Sequence, residues 1–143
     1  MSFWRLYYHV VWGTKNRHPT LEGEIGETAE RSIMAECRNQ GLIFYALGMM
    51  PEHVHLVVGI PPRLAISDVM KQLKGSSSHL INSTKGTKSW FGWQNEYGIM
   101  SFGERSLDQI VTYVLHQREH HLTGELMPVF ERLESEKPAG PQV

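Results

Sequence analysis

At 143 residues and 41% hydrophobic content, the chain is long enough to bury one core and too short for two ordinary domains, so a single compact domain is expected. One cysteine, Cys37, excludes an intramolecular disulfide, and no apolar run approaches the ~20 residues of a bilayer span. The formal charge of -1 argues against a uniformly basic nucleic-acid binder.

With no signal-peptide pattern at the start, the expected setting is a reducing cytoplasm and no membrane. The charge is also segregated. Residues 1 to 19 carry Arg5, Lys15 and Arg17 with no acid, and residues 61 to 90 carry Arg63, Lys71, Lys74, Lys85 and Lys88 against Asp68 alone. Glu22, Glu24, Glu27, Glu30 and Glu36 gather in one stretch and Glu125, Glu131, Glu134 and Glu136 in the tail. Segregation of this kind can give a neutral protein a basic face, although a charge run is by default a solvated surface.

Phe3 to Trp12 is aromatic and β-branched, then punctuated by Gly13 and the Asn16 to Pro19 stretch, which predicts a first strand and its exit loop. Glu24 to Gln40 has helical spacing with Gly41 as its C-terminal cap, and places Cys37 as a small buried packing residue. Leu42 to Met49 and His53 to Ile60 are apolar runs separated by Met50-Pro51-Glu52, which predicts a hairpin. Pro61-Pro62 stops that strand. Ile66, Val69, Met70 and Leu73 then recur at helical spacing up to the Gly75-Ser76-Ser77-Ser78 patch, which either ends or weakens a second helix.

Residues 84 to 95 read as a loop, and Tyr97 to Phe102 as a short fourth strand. The last helix is predicted from about 106 to 122, opened by Ser106 with Gln109 in a capping-box pattern and ended before Gly124. Its Leu107, Ile110, Val111, Val114 and Leu115 are expected to form the core stripe, with Tyr113, Gln109, Gln117, His116 and His120 on the opposite face. The order of elements predicts an α+β, ferredoxin-like antiparallel sheet with helices on one face plus this C-terminal helix. Residues 1–127 are expected to form the one domain, and 128–143 a flexible tail.

Three features bear on chemistry. His53 and His55 alternate with Val54 on a strand, so both imidazoles share a face with Cβ atoms about 7 Å apart, within reach of one divalent ion. A packing or surface role fits such a pair equally. Tyr113 and Gln117 are four residues apart and so neighbours on one helix face, a pattern an exposed or interface tyrosine would also give. Hydroxyl and basic groups gather at Lys71, Lys74, Ser76, Ser77 and Ser78 and at Lys15, Arg17 and His18, where they suit phosphate contacts. The nearby Trp90, Phe91 and Trp93 could stack on unpaired bases or simply pack in the core.

Together these residues resemble the single-tyrosine transposases of the HUH nuclease superfamily, encoded by simple insertion sequences, and their relatives the REP-associated tyrosine transposases. The resemblance runs from Tyr7-Tyr8-His9-Val10-Val11-Trp12 and Thr14-Lys15-Asn16-Arg17, through Met50-Pro51-Glu52-His53-Val54-His55-Leu56, to Tyr113-Val114-Leu115-His116-Gln117 and His120-His121. The acidic residue before the His pair is Glu52, where aspartate is more usual in the family.

The resemblance implies that His53, His55 and Gln117 hold Mg²⁺ or Mn²⁺ and that Tyr113 attacks a phosphodiester of single-stranded DNA, leaving a 5′-phosphotyrosine. A phenol with an unperturbed pKa near ~10 needs help to attack at neutral pH. It also implies hairpin-bearing DNA ends as partners and a homodimer whose subunits share composite sites. Other readings of the same residues are a domesticated nickase of REP-type hairpins, a water-using metal hydrolase, and a non-catalytic ferredoxin-like module binding nucleic acid through sheet aromatics.

Overall fold

The protein is described here by a computed structural model that covers residues 2–84 and 90–117. Strand β1 (Tyr7–Gly13) leads through a 3-10 turn (Lys15–Arg17) to helix α1 (Gly23–Gln40). Strands β2 (Ile43–Met50) and β3 (His53–Gly59) form the expected hairpin, followed by helix α2 (Ile66–Thr84), strand β4 (Gly98–Phe102), a second 3-10 turn (Glu104–Ser106) and helix α3 (Leu107–Leu115). The sheet runs β2-β3-β1-β4 with every neighbouring pair antiparallel, which is the ferredoxin-like order.

Register assigns the two faces. Val10 and Trp12 of β1 pair with Leu56 and Val54 of β3, and with Val58 these side chains meet Ile33 and Cys37 of α1 and Val69, Met70, Leu73 and Ile81 of α2. Residues of the other parity, Tyr7, His9, Val11 and Gly13 on β1 and His53, His55 and Val57 on β3, face the opposite side. There α3 covers them: Ile110, Tyr113 and Val114 pack with Ala46 and Val57. The sheet is therefore sandwiched between α1 and α2 on one side and α3 on the other. That explains why β3 is buried at every position instead of alternating.

Several local outcomes differ from the sequence reading. Helix α2 continues through the Gly-Ser patch to Thr84, because Ser77 bonds back to Leu73 O at 2.7 Å and Ile81 rejoins the core stripe. Ser106 makes no capping bond through its side chain; the preceding 3-10 turn runs straight into α3. A bulge between Phe44 and Ala46 shifts the parity of β2, so that Tyr45 and Ala46 both reach the α3 side. Gly41 caps α1 at a φ of 73°, as its position predicts. The last helix, expected to run to about 122, ends instead at Leu115, where His116 leaves helical geometry at φ -103° and ψ 29°; residues beyond 117, including the 128–143 tail, lie outside the described residues.

Candidate active site

The site is built on the α3 side of the sheet. His53 and His55 enter it from β3, with ring centroids 5.1 Å apart and planes at 65°. Both are buried, at 2% and 0% exposure. Each has its Nδ1 engaged. Glu52 Oε1 lies 2.9 Å from His53 Nδ1, and His9 Nε2 lies 2.8 Å from His55 Nδ1. Held in this way, each ring directs its Nε2 as the nitrogen that would ligate a cation, which is how ligating imidazoles are usually oriented. Glu52 reaches its partner as the aspartate usual at this position would be expected to.

His9 takes part because β1 pairs antiparallel with β3: Val11 sits opposite His55 and His9 opposite Val57, so His9 lies diagonal to His55 on the same face. Its ring stacks on that of His55, with centroids 5.0 Å apart and an interplanar angle of 21°. Sequence reasoning gave His9 no role. Its strand parity was readable, but the pairing that brings it to His55 is not local.

Tyr113 corrects the helical reading. It is not opposite the apolar stripe but within it, 3% exposed, with its ring centroid 6.2 Å from that of His55. At about 100° per residue, Ile110, Tyr113, Val114 and Gln117 fall within a 100° arc, and these are the buried positions of this face. Gln109 and His116 point to solvent, and His120 lies outside the described residues. Gln117 is buried at 2% exposure beside Gly48 and Met49, and Gly48 is the register partner of His55.

Gly48 makes this approach possible. A Cβ there would overlap the Val114 carbonyl oxygen and lie 3.1 Å from its carbonyl carbon, so α3 rests directly on the backbone of β2. Tyr113 thus meets His55 of its own chain, and Gln117 lies beside Gly48, the register partner of His55.

The expected DNA contacts divide. Arg17 follows Asn16 in positive φ, at 57° and 56°, a strained turn that folds its side chain back over Gly13, where a Cβ would meet its guanidinium at 3.0 Å. Gly13 is opposite His53, so Arg17 stands at the rim of the site. Lys15 and His18 are exposed in the same turn, and Lys71 and Lys74 line a cavity of about 390 Å³ with Trp90 and Tyr97. Burial holds the Lys74 ammonium below its ordinary pKa, against the opposite pull of Glu96.

Ser77 is a correction: it is fully buried, its hydroxyl donates to Leu73 O and accepts from Trp93 Nε1 at 2.8 Å, and it cannot face DNA. Ser76 turns toward α1 and lines a separate cavity with Arg31 and His79. Phe91 and Trp93 are core residues, whereas Trp90 is exposed.

The donor set fits a divalent cation: two oriented imidazoles and a buried side-chain amide on adjoining elements. Among the described residues no group of three His, Cys, Asp or Glu could hold a metal.

A four-stranded antiparallel sheet with a His pair on its central strand and a tyrosine helix laid across it is the fold of the tyrosine transposases. Residues 2–117 match the family described as IS200-like transposase, and the chain belongs to it. It is 31% identical over 121 residues to the ISDra2 transposase TnpA of Deinococcus radiodurans, covering 81% of this chain and 86% of that one. To the transposase of insertion sequence IS200 from Salmonella typhimurium it is 24% identical over 131 residues, covering 88% and 86%.

A crystal structure from Deinococcus radiodurans of a chain assigned as a transposase superposes with a TM-score of 0.66 at 30% identity, over 81% of this chain and 93% of that one. A REP-associated tyrosine transposase bound to a REP hairpin shares the fold, with a TM-score of 0.65 at 16% identity over 100% and 99%. The expected family and fold are thereby borne out. Among the described residues no helix is long and apolar enough to cross a membrane.

Proposed function

We propose that this transposase cleaves and rejoins single-stranded DNA through a covalent 5′-phosphotyrosine on Tyr113, with His53, His55 and Gln117 holding Mg²⁺ or Mn²⁺. The observation that carries the reading is the buried Tyr113 ring beside His55, with Gln117 buried just past the C-terminal end of the same helix. A bound divalent ion would supply Lewis acidity to a non-bridging phosphate oxygen. The chain's own residues do the rest. Glu52 and His9 fix the two imidazoles, the Gly48 contact sets the height of α3 over the sheet, and Arg17 lies where it can take a phosphate oxygen by charge-assisted hydrogen bonds.

In the step itself the phenolic O–H and the P–O3′ bond break, a P–O bond to Tyr113 forms, and the departing 3′ oxygen takes up a proton. No water or nucleotide is consumed, so another 3′-hydroxyl can reverse the reaction and complete the transfer. Hairpin-bearing element ends are the proposed substrates, in keeping with the hairpin held by the REP-associated structural neighbour. Because Tyr113 lies against His55 of its own chain, it is proposed to act in cis, whether or not the protein dimerises.

The test is a covalent-adduct assay with labelled single-stranded DNA from the flanks of the gene, run on denaturing gels with Mg²⁺ or EDTA. A cation-dependent shifted band, lost in Tyr113→Phe, is expected. Cleavage that survives Tyr113→Phe would replace this reading with a water-using hydrolase.

A further inference from the structure

The two basic stretches that the sequence keeps some fifty residues apart converge on one side chain, Trp90. Lys15 N donates to Gly92 O at 2.9 Å and Thr14 bridges Trp93, which draws the 90–94 segment against the end of β1. From the other side, Lys71 and Lys74 of α2 line the cavity that Trp90 borders. The indole is 70% exposed, although its neighbours Phe91 and Trp93 are buried. It is nevertheless seated: a Cβ on Gly92 would overlap the ring, so the indole lies against bare backbone. The Lys15 ammonium stands 5.2 Å from the ring centroid.

An exposed aromatic that merely filled a loop would have no need of a glycine seat or of flanking ammonium groups drawn from two distant segments. An exposed aromatic ring with cations over and beside it is how sequence-tolerant binders hold unpaired bases: the ring stacks on a base that displaces the ammonium, and the lysines meet the flanking phosphates. The location agrees. Gly92 sits beside Lys15, two residues beyond Gly13, the partner of His53, so its backbone is on the order of 12 Å from the His pair in the plane of the sheet, at the sheet end where a strand would pass from the α3 face to the α2 wall of the platform. That span is a few nucleotides of single strand at about 3.4 Å or more of rise each.

We infer that Trp90, seated on Gly92 and flanked by Lys15, Lys71 and Lys74, is a stacking platform for one unpaired nucleobase of the DNA strand that runs through the active site. The inference rests on the proposed action on single-stranded DNA. It adds a subsite that sets where that strand lies relative to Tyr113.

The experiment uses the full chain in EDTA and a fluorescein-labelled oligothymidylate, with binding followed by anisotropy. Trp90→Ala should raise Kd about 5- to 100-fold, the range for loss of one base–aromatic stack, and Trp90→Phe should recover most of it. Gly92→Ala, which adds no DNA contact but unseats the indole, should weaken binding in the same direction. Lys15→Ala and Lys71→Ala should instead flatten the dependence of log Kd on log salt.

Equal affinities for wild type, Trp90→Ala and Gly92→Ala would overturn the platform, as would a wild type that binds no oligothymidylate. The two readings fail separately. Binding that depends on Trp90 without any Tyr113 adduct would uphold the platform and refute strand transfer; an adduct formed with unchanged affinity in Trp90→Ala would do the reverse.

Discussion

Gly48→Ala is the sharpest test of how the site is assembled. The new methyl group would overlap the carbonyl oxygen of Val114 and press on its Cγ1 at 3.2 Å. The main obstacle is backbone, so no side-chain rotation relieves it. Restoring van der Waals contact requires α3 and β2 to separate by on the order of 1 Å. Overpacking of this size costs about 1–3 kcal/mol. The core between the sheet and α1 and α2 is untouched, because Gly48 faces the other side.

Tyr113 rides on the displaced helix while His53 and His55 stay on β3, and a misplacement near 1 Å is worth about 100-fold in rate. The expected outcome is therefore a folded protein, with far-UV circular dichroism unchanged, whose single-turnover adduct formation falls about 100-fold. Gly75→Ala is the matched control, since a Cβ there meets nothing within 4 Å. Wild-type adduct rates and stability in Gly48→Ala would refute the packing of α3 on β2 and, with it, the account of how Tyr113 reaches the His pair.

Four further outcomes follow from the same geometry. His9→Ala and Glu52→Ala should each weaken Mn²⁺ binding about 10- to 100-fold by calorimetry on the metal alone, with His9→Gln retaining more because an amide oxygen can still accept from His55 Nδ1; unchanged affinity in His9→Ala would remove His9 from the site. Gly75→Ala, in the interior of α2, should raise stability by about 0.4–1 kcal/mol in thermal unfolding. Burial, helped by Glu36, pushes the Cys37 thiol up to about 12 from its ordinary 9, so alkylation of the folded protein should keep accelerating with pH well beyond 9 instead of levelling off there. The sign for stability is the same: a raised folded pKa favours the thiol, so this contribution is intact below pH 9 and lost as pH rises toward 12, which urea titrations at several pH values would read out.

The sequence carried the fold well wherever the information was local. Periodicity located the strands and helices to within a few residues, Gly41 marked a helix end, and Pro51-Glu52 marked a hairpin. It failed where tertiary partners decide. The Gly75 to Ser78 patch looks like a helix breaker by propensity, yet Ser77 is held by Leu73 and Trp93 and the helix runs on. Ser106 looks like a cap, yet the chain arrives already wound in a 3-10 turn, and a serine with αR dihedrals cannot cap in the usual way.

The site shows the same division. His53 and His55 were legible as a pair because both lie on one strand, where spacing alone fixes the shared face, whereas Tyr113 and Gln117 are both buried although α3 ends between them. What joins the pairs is register, and register is not local. The error over Tyr113 is instructive here. A helix lying on a sheet must bury a stripe, and placing the tyrosine opposite that stripe would have aimed it at solvent, away from the histidines. Since a tyrosine on α3 can meet β3 only from within the buried face, the proposed catalysis and the packing make the same demand of position 113. The apolar neighbours Ile110 and Val114 then become the means by which Tyr113 is held against His55. Gly48 belongs to that arrangement although it carries no chemistry, and nothing in its local sequence distinguishes it from a glycine that merely weakens a strand.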